Sequence, residues 1–101
     1  MSSYAALWSE PWTEIEAGKL ELEPSGLRFE GSRGRKSAIR HVGYGEIERV
    51  RIGHSITERL RGRPSLVLDL AVGGPVRVGI VGAPGVRAEL ADELTRRSAR
   101  G

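Results

Sequence analysis

Three observations predict a mainly β domain of the α+β class closed by one C-terminal amphipathic helix. Apolar residues alternate over 66–72 and again over 76–80, turn residues punctuate the chain as far as Gly82, and a single apolar stripe at helical spacing runs from Pro84 to about Ser98. A striped helix that follows a meander of strands needs a sheet face to pack on.

Taken in order, residues 1–12 read as an aromatic arm. Tyr4, Leu7 and Trp8 fall on one side of a helical turn that Pro11 would end, and Trp12 follows at once, so the arm holds three of the five aromatic residues. Leu20 and Leu22 then lead into Glu23-Pro24-Ser25-Gly26. Pro24 sets φ for a turn there and Gly26 is expected in the left-handed region, before Leu27 and Phe29 return as a second strand. Ala38 to Val42 reads as extended, Tyr44 to Ile47 as a single helical turn, and Val50, Ile52 and His54 as one face of a strand. Residues 56–63 are polar and stopped by Pro64, which suits an edge strand or a mobile connection, because proline cannot donate to a ladder. Leu66, Leu68, Leu70 and Val72 alternate cleanly, Gly73-Gly74 offers two positive-φ positions for a tight turn, and Val76, Val78 and Ile80 resume the alternation.

Pro84 suits a first helical position, where the missing N–H would be unpaired in any case. Val86, Leu90 and Leu94 share one stripe with Ala83 and Ala91. Asp92–Arg96 and Glu93–Arg97 are expected as i,i+4 ion pairs, with Arg96, Arg97 and Arg100 near the negative end of the helix dipole.

At 101 residues the chain suits one domain with one core, organised as an arm over 1–12, a domain over 13–98 and a tail over 99–101. There is no apolar run near the roughly 18 residues of a membrane span, and residues 1–12 lack a basic start and a continuous apolar centre, so neither a span nor a secretory signal is expected. The absence of cysteine excludes disulfides and thiolate metal sites and fits a cytoplasmic location.

The stretches Gly18-Lys19-Leu20-Glu21-Leu22, Ser25-Gly26-Leu27-Arg28-Phe29 and Gly43-Tyr44-Gly45-Glu46-Ile47-Glu48-Arg49-Val50, with the closing hairpin and helix, resemble a bacterial pleckstrin-homology-like (PH-like) domain over residues 13–98. The resemblance implies a strongly bent antiparallel barrel of about seven strands with one open end plugged by the C-terminal helix. It does not fix a function, because this fold hosts many.

Charge is unevenly spread along the chain. Residues 1–30 carry 2 basic and 6 acidic groups, residues 31–63 carry 9 and 3, and the remainder carries 5 and 4. Arg33, Arg35 and Lys36 in one loop, or Arg59, Arg61 and Arg63 in another stretch, could meet phosphates or anionic lipid. In phosphoinositide-binding relatives the basic residues commonly come from the loop between the first two strands. Here that loop is read as Glu23-Pro24-Ser25-Gly26, which is acidic, so membrane binding is the weaker alternative. Nucleic acid is not expected, since the basic third holds one aromatic, Tyr44, as a stacking platform. His41, His54, Asp69 and Ser65 stand in no nucleophile or metal-ligand spacing, so no enzyme, metal or cofactor is expected.

The expected function is a non-catalytic protein or peptide interaction module. A strand edge at residues 55–61 beside Val86, Leu90 and Leu94 would accept an extended segment, and Arg59 and Arg61 would favour an acidic partner. The alternatives are anion binding through Arg33, Arg35 and Lys36, and homo-oligomer formation or docking through Tyr4, Leu7, Trp8 and Trp12.

Overall fold

Seven antiparallel strands and one C-terminal helix make up the computed structural model, which describes residues 2–11, 14–33, 35–53, 55–81 and 84–100. The strands are β1 (Ser2–Ser9), β2 (Glu16–Leu22), β3 (Gly26–Arg33), β4 (Lys36–Gly43), β5 (Ile47–Gly53), β6 (Ser65–Leu70) and β7 (Val76–Ile80), and the helix is α1 (Pro84–Arg100). They form a single sheet in the order β4-β3-β2-β1-β7-β6-β5. The end strands β4 and β5 do not pair with each other, so hydrogen bonds do not close the sheet into the expected barrel.

The largest correction is at the N-terminus. Residues expected in a helical turn form β1, which lies mid-sheet and joins its two halves by pairing with β2 on one side and β7 on the other. Short apolar runs fit either period, and here Tyr4, Ala6 and Trp8 at period two define the inward face, with small Ala6 in place of a large apolar residue. Pairing on both edges decides between the two periods. Trp8 is 1% exposed and stacks on Phe29 with ring centroids 5.1 Å apart. Around this stack Leu20, Leu22, Leu27, Leu66, Leu68 and Val78 fill the inward face of the sheet, and Leu90 and Leu94 of α1 complete the core.

Two turns differ from the expected chemistry. Gly26 is not left-handed: it is the first residue of β3, where a Cβ would stand 2.3 Å from the Val42 carbonyl oxygen, and the turn is held by Glu23 N donating to Gly26 O at 2.9 Å. Between β6 and β7 only Gly73 has positive φ (95°), and the pairing runs Leu66↔Val78, Val67↔Arg77 and Leu68↔Val76. A two-residue turn at Gly73-Gly74 would pair Val72 with Pro75. Instead the strand ends at Leu70, Val72 is 88% exposed, and a Cβ on Gly74 would meet Pro11 at 2.1 Å. Pro75 has no N–H with which to extend the ladder, and Leu70 and Asp69 pair with Ile47 and Arg49 of β5 instead.

Tyr44–Glu46 form the expected helical turn, as a 3-10 helix capped by Glu46 Oε2, which accepts Gly43 N–H at 2.6 Å. Residues 55–64 form neither an edge strand nor a loose connection. A second 3-10 turn (Ile56–Glu58) and a tight turn at 60–63 cross the outer face of the sheet, with Leu60 (2% exposed) set against Gly79 of β7. Beneath this strap Val67, which alternation assigns to solvent, is 1% exposed. Burying a leucine and a valine this way contributes roughly 1.5–3 kcal/mol each.

Candidate interaction edge

β5 is an end strand: β6 pairs with one side, and among the described residues no strand pairs with the other. α1 packs beside it. Val50 and Ile52 are half-buried on the face turned to the core, and Val86 in the first turn of α1 is also half-buried. β5 thus presents an unpaired backbone edge with half-buried Val50 and Ile52 on its inner face, the kind of edge that an added strand uses. A register shift between Ile47 and Arg49 bends the start of the strand.

The side chains that hold this edge are charged. Arg49 Nε and Arg51 Nε both donate to Asp69 Oδ2, at 3.0 and 3.1 Å, and Arg51 also pairs with Glu58 of the strap. Burial works to raise the Asp69 carboxyl, but the hydrogen bonds from Arg51 and Arg49 together overcome it and leave it below the ordinary carboxylate range. The Glu58 carboxyl is lowered by the hydrogen bond from Arg51 and then by that from Ser55.

The far end of α1 is locked by a different set. Tyr44 Oη donates to the Glu23 carbonyl at 2.6 Å and accepts from Arg97 Nη1 at 3.1 Å, while the Arg97 guanidinium lies 5.5 Å from the Tyr44 ring centroid and holds Glu93 Oε1 at 2.8 Å. Arg96 pairs with Glu93 rather than with the expected Asp92. The Glu93 carboxyl is lowered by the hydrogen bonds from Arg97 and Arg96. Pro24, Tyr44, Glu93, Arg96 and Arg97 line a shallow hollow of about 260 Å³ at this end. The helix is therefore fixed at its C-terminus to the β2–β3 turn, which sets its position along β5.

The residues expected at one partner-binding surface do not share a strand edge. Leu90 is fully buried in the core and presents nothing to a partner. Arg59 and Arg61 lie on the strap over the outer face, not on a strand edge, and Val86 is half-buried in the first turn of α1. In the docking arm Trp8 is a core residue, Tyr4 packs against the core and Leu7 is half-buried beneath the strap, so the arm is interior to the sheet; Trp12 lies outside the described residues. Arg35 and Lys36 are exposed at the β3–β4 turn, and the Arg33 side chain lies outside the described residues, as does His54. His41 is exposed on β4, with Nε2 3.4 Å from Glu23 Oε1.

Part of the electropositive middle third is neutralised within the sheet, while Arg35, Lys36, Arg59, Arg61 and Arg63 stay exposed. Arg40 pairs with Glu16 and Glu10 of the acidic first third, at 3.2 and 3.5 Å, and Arg49 and Arg51 share Asp69 of the last third. The loop between the first two strands is also reassigned. It is the segment after β1, residues 10–15, which carries Glu10 and Glu14 and no lysine or arginine.

No family model matches the chain, and no curated protein does. Among solved structures it is similar to the C-terminal domain of an unknown protein from Leishmania infantum, with a TM-score of 0.73 at 15% identity, over 98% of this chain and 83% of that one. A likeness at this identity shows the fold alone.

Proposed function

We propose that the chain is a non-catalytic interaction module of PH-like fold that binds an extended protein segment by strand addition to β5. The observation that carries this reading is the unpaired outer edge of β5, with half-buried Val50 and Ile52 on the strand and α1, whose first turn holds half-buried Val86, packed against it. Seven antiparallel strands in one sheet with a closing C-terminal helix support the PH-like assignment, and a bend strong enough to make the sheet a barrel is part of it. The added segment would draw affinity from backbone hydrogen bonds and selectivity from alternate side chains placed over the apolar strip. Membrane binding through Arg35 and Lys36 has less support, because the segment after β1 carries Glu10 and Glu14.

The test is a random-peptide display on the purified protein, followed by titration of a selected peptide under NMR. Shifts should cluster on β5 and the first turn of α1, and Val86→Asp should weaken binding by about tenfold or more. The carboxylate would sit in the first helical turn, where the dipole favours it, so the fold should survive. Shifts confined to the Arg35–Lys36 turn, or an unchanged affinity in Val86→Asp, would refute the edge.

A further inference from the structure

We propose that the turn at residues 60–63 is a second binding element, independent of the β5 edge, that takes the carboxylates of an acidic protein segment. Leu60 N donates to Arg63 O at 2.9 Å and Arg63 N to Leu60 O at 3.1 Å, which closes a two-residue hairpin with Arg61 and Gly62 at its tip. Both tip residues are left-handed, with φ of 51° and 80°. This is the turn geometry that favours Asn-Gly, and Arg61 is the one described non-glycine residue with positive φ. Glycine at 61 would adopt the same backbone without the Cβ penalty, so the turn holds a guanidinium at a place where the backbone favours none.

The turn is also rigidly seated. Leu60 is buried against Gly79, Ser65 Oγ donates to the Glu58 carbonyl, and Arg77 Nη1 donates to the Thr57 carbonyl at 2.8 Å. Glu58, the nearest acid in sequence, is engaged by Arg51 and Ser55. Arg61 and Arg63 are exposed and make no ion pair among the described residues, and Arg59 is exposed on the same run. A guanidinium matches a carboxylate through two parallel hydrogen bonds, and holding it on a fixed turn lowers the ordering cost of binding.

An acidic peptide fits better than a lipid surface. The single apolar residue of the turn, Leu60, is buried, so nothing there can insert between lipids. Arginines spread around a turn suit carboxylates spaced about 7 Å apart on one side of an extended chain, rather than a single phosphate.

Fluorescence anisotropy with a labelled octaglutamate peptide at low salt tests the proposal. Arg61→Gly should weaken binding about fivefold or more, while the thermal midpoint stays level or rises. The pair Arg61→Ser/Arg63→Ser should weaken it more than about tenfold. Arg35→Ser/Lys36→Ser, which removes the same charge elsewhere, should stay within about twofold. The proposal is overturned if wild type fails to bind octaglutamate, if Arg61→Gly binds unchanged, or if the two double variants lose affinity equally. Sedimentation with phosphatidylserine vesicles that depends on Arg61, without octaglutamate binding, would assign the turn to membranes instead.

Discussion

Removing residues 1–9 is expected to abolish cooperative folding. β1 pairs with β2 over Ser2↔Leu22 to Trp8↔Glu16 and with β7 over Ala6↔Ile80 to Ser9↔Arg77, so its loss splits the sheet between β2 and β7. It also removes Trp8 from its stack on Phe29. Truncating a buried tryptophan to alanine alone costs about 3–5 kcal/mol, against a total stability of about 5–15 kcal/mol for a domain of this kind. Two unpaired edges and the loss of Ala6 from the core add to that. Urea titration followed by circular dichroism should show no sigmoidal transition. A docking arm would behave differently, leaving a folded species of lower mass with its transition intact.

Leu94→Asp is expected to be nearly as severe. Leu94 is fully buried in the core, on the side of α1 that meets the sheet. The change forfeits a leucine's packing, about 2–5 kcal/mol, and strands an unpaired carboxylate whose desolvation costs several kcal/mol more. The sum reaches the stability of the whole domain. The same substitution at half-buried Val86, on the same helix, should cost about 1 kcal/mol. Comparing the two by chemical denaturation separates the core stripe of α1 from its outer face.

What the sequence made legible follows from whether the deciding interactions are local. The closing helix is readable because Pro84 at its start and the Val86, Leu90, Leu94 stripe are all within a few turns of one another. The Leu20–Phe29 hairpin and the 3-10 turn at Tyr44 are equally local. β1 was not readable as a strand, because Tyr4, Leu7 and Trp8 fit a helical period as well as Tyr4, Ala6 and Trp8 fit a strand. The choice rests on partners as far away as Arg77 and Ile80. The strap was illegible for a related reason. Leu60 is one apolar residue in a polar run, and its burial depends on the gap left by Gly79, nineteen positions later.

The open strand edge lies at another place in the chain than the one expected from the sequence. A free edge beside the closing helix exists, but it is β5 rather than residues 55–61, because Leu60 folds that segment onto the outer face. Linear charge counting failed for the same physical cause. Arg40 finds Glu16 across the sheet, 24 positions back, so part of a basic stretch in sequence is neutralised in space, while Arg61 and Arg63 stay exposed. Arg61 could have been singled out from the sequence, since Arg-Gly between Leu60 and Arg63 resembles the Asn-Gly of a two-residue hairpin turn.

Residue-resolved amide hydrogen exchange on the free protein tests most directly whether β5 offers an open edge while β1 is interior. Alternate β5 amides should exchange within the time of unprotected loops, because those N–H groups point away from β6, while β1 amides should be among the slowest in the molecule. Uniform protection along β5, or rapid exchange through β1, would contradict the account.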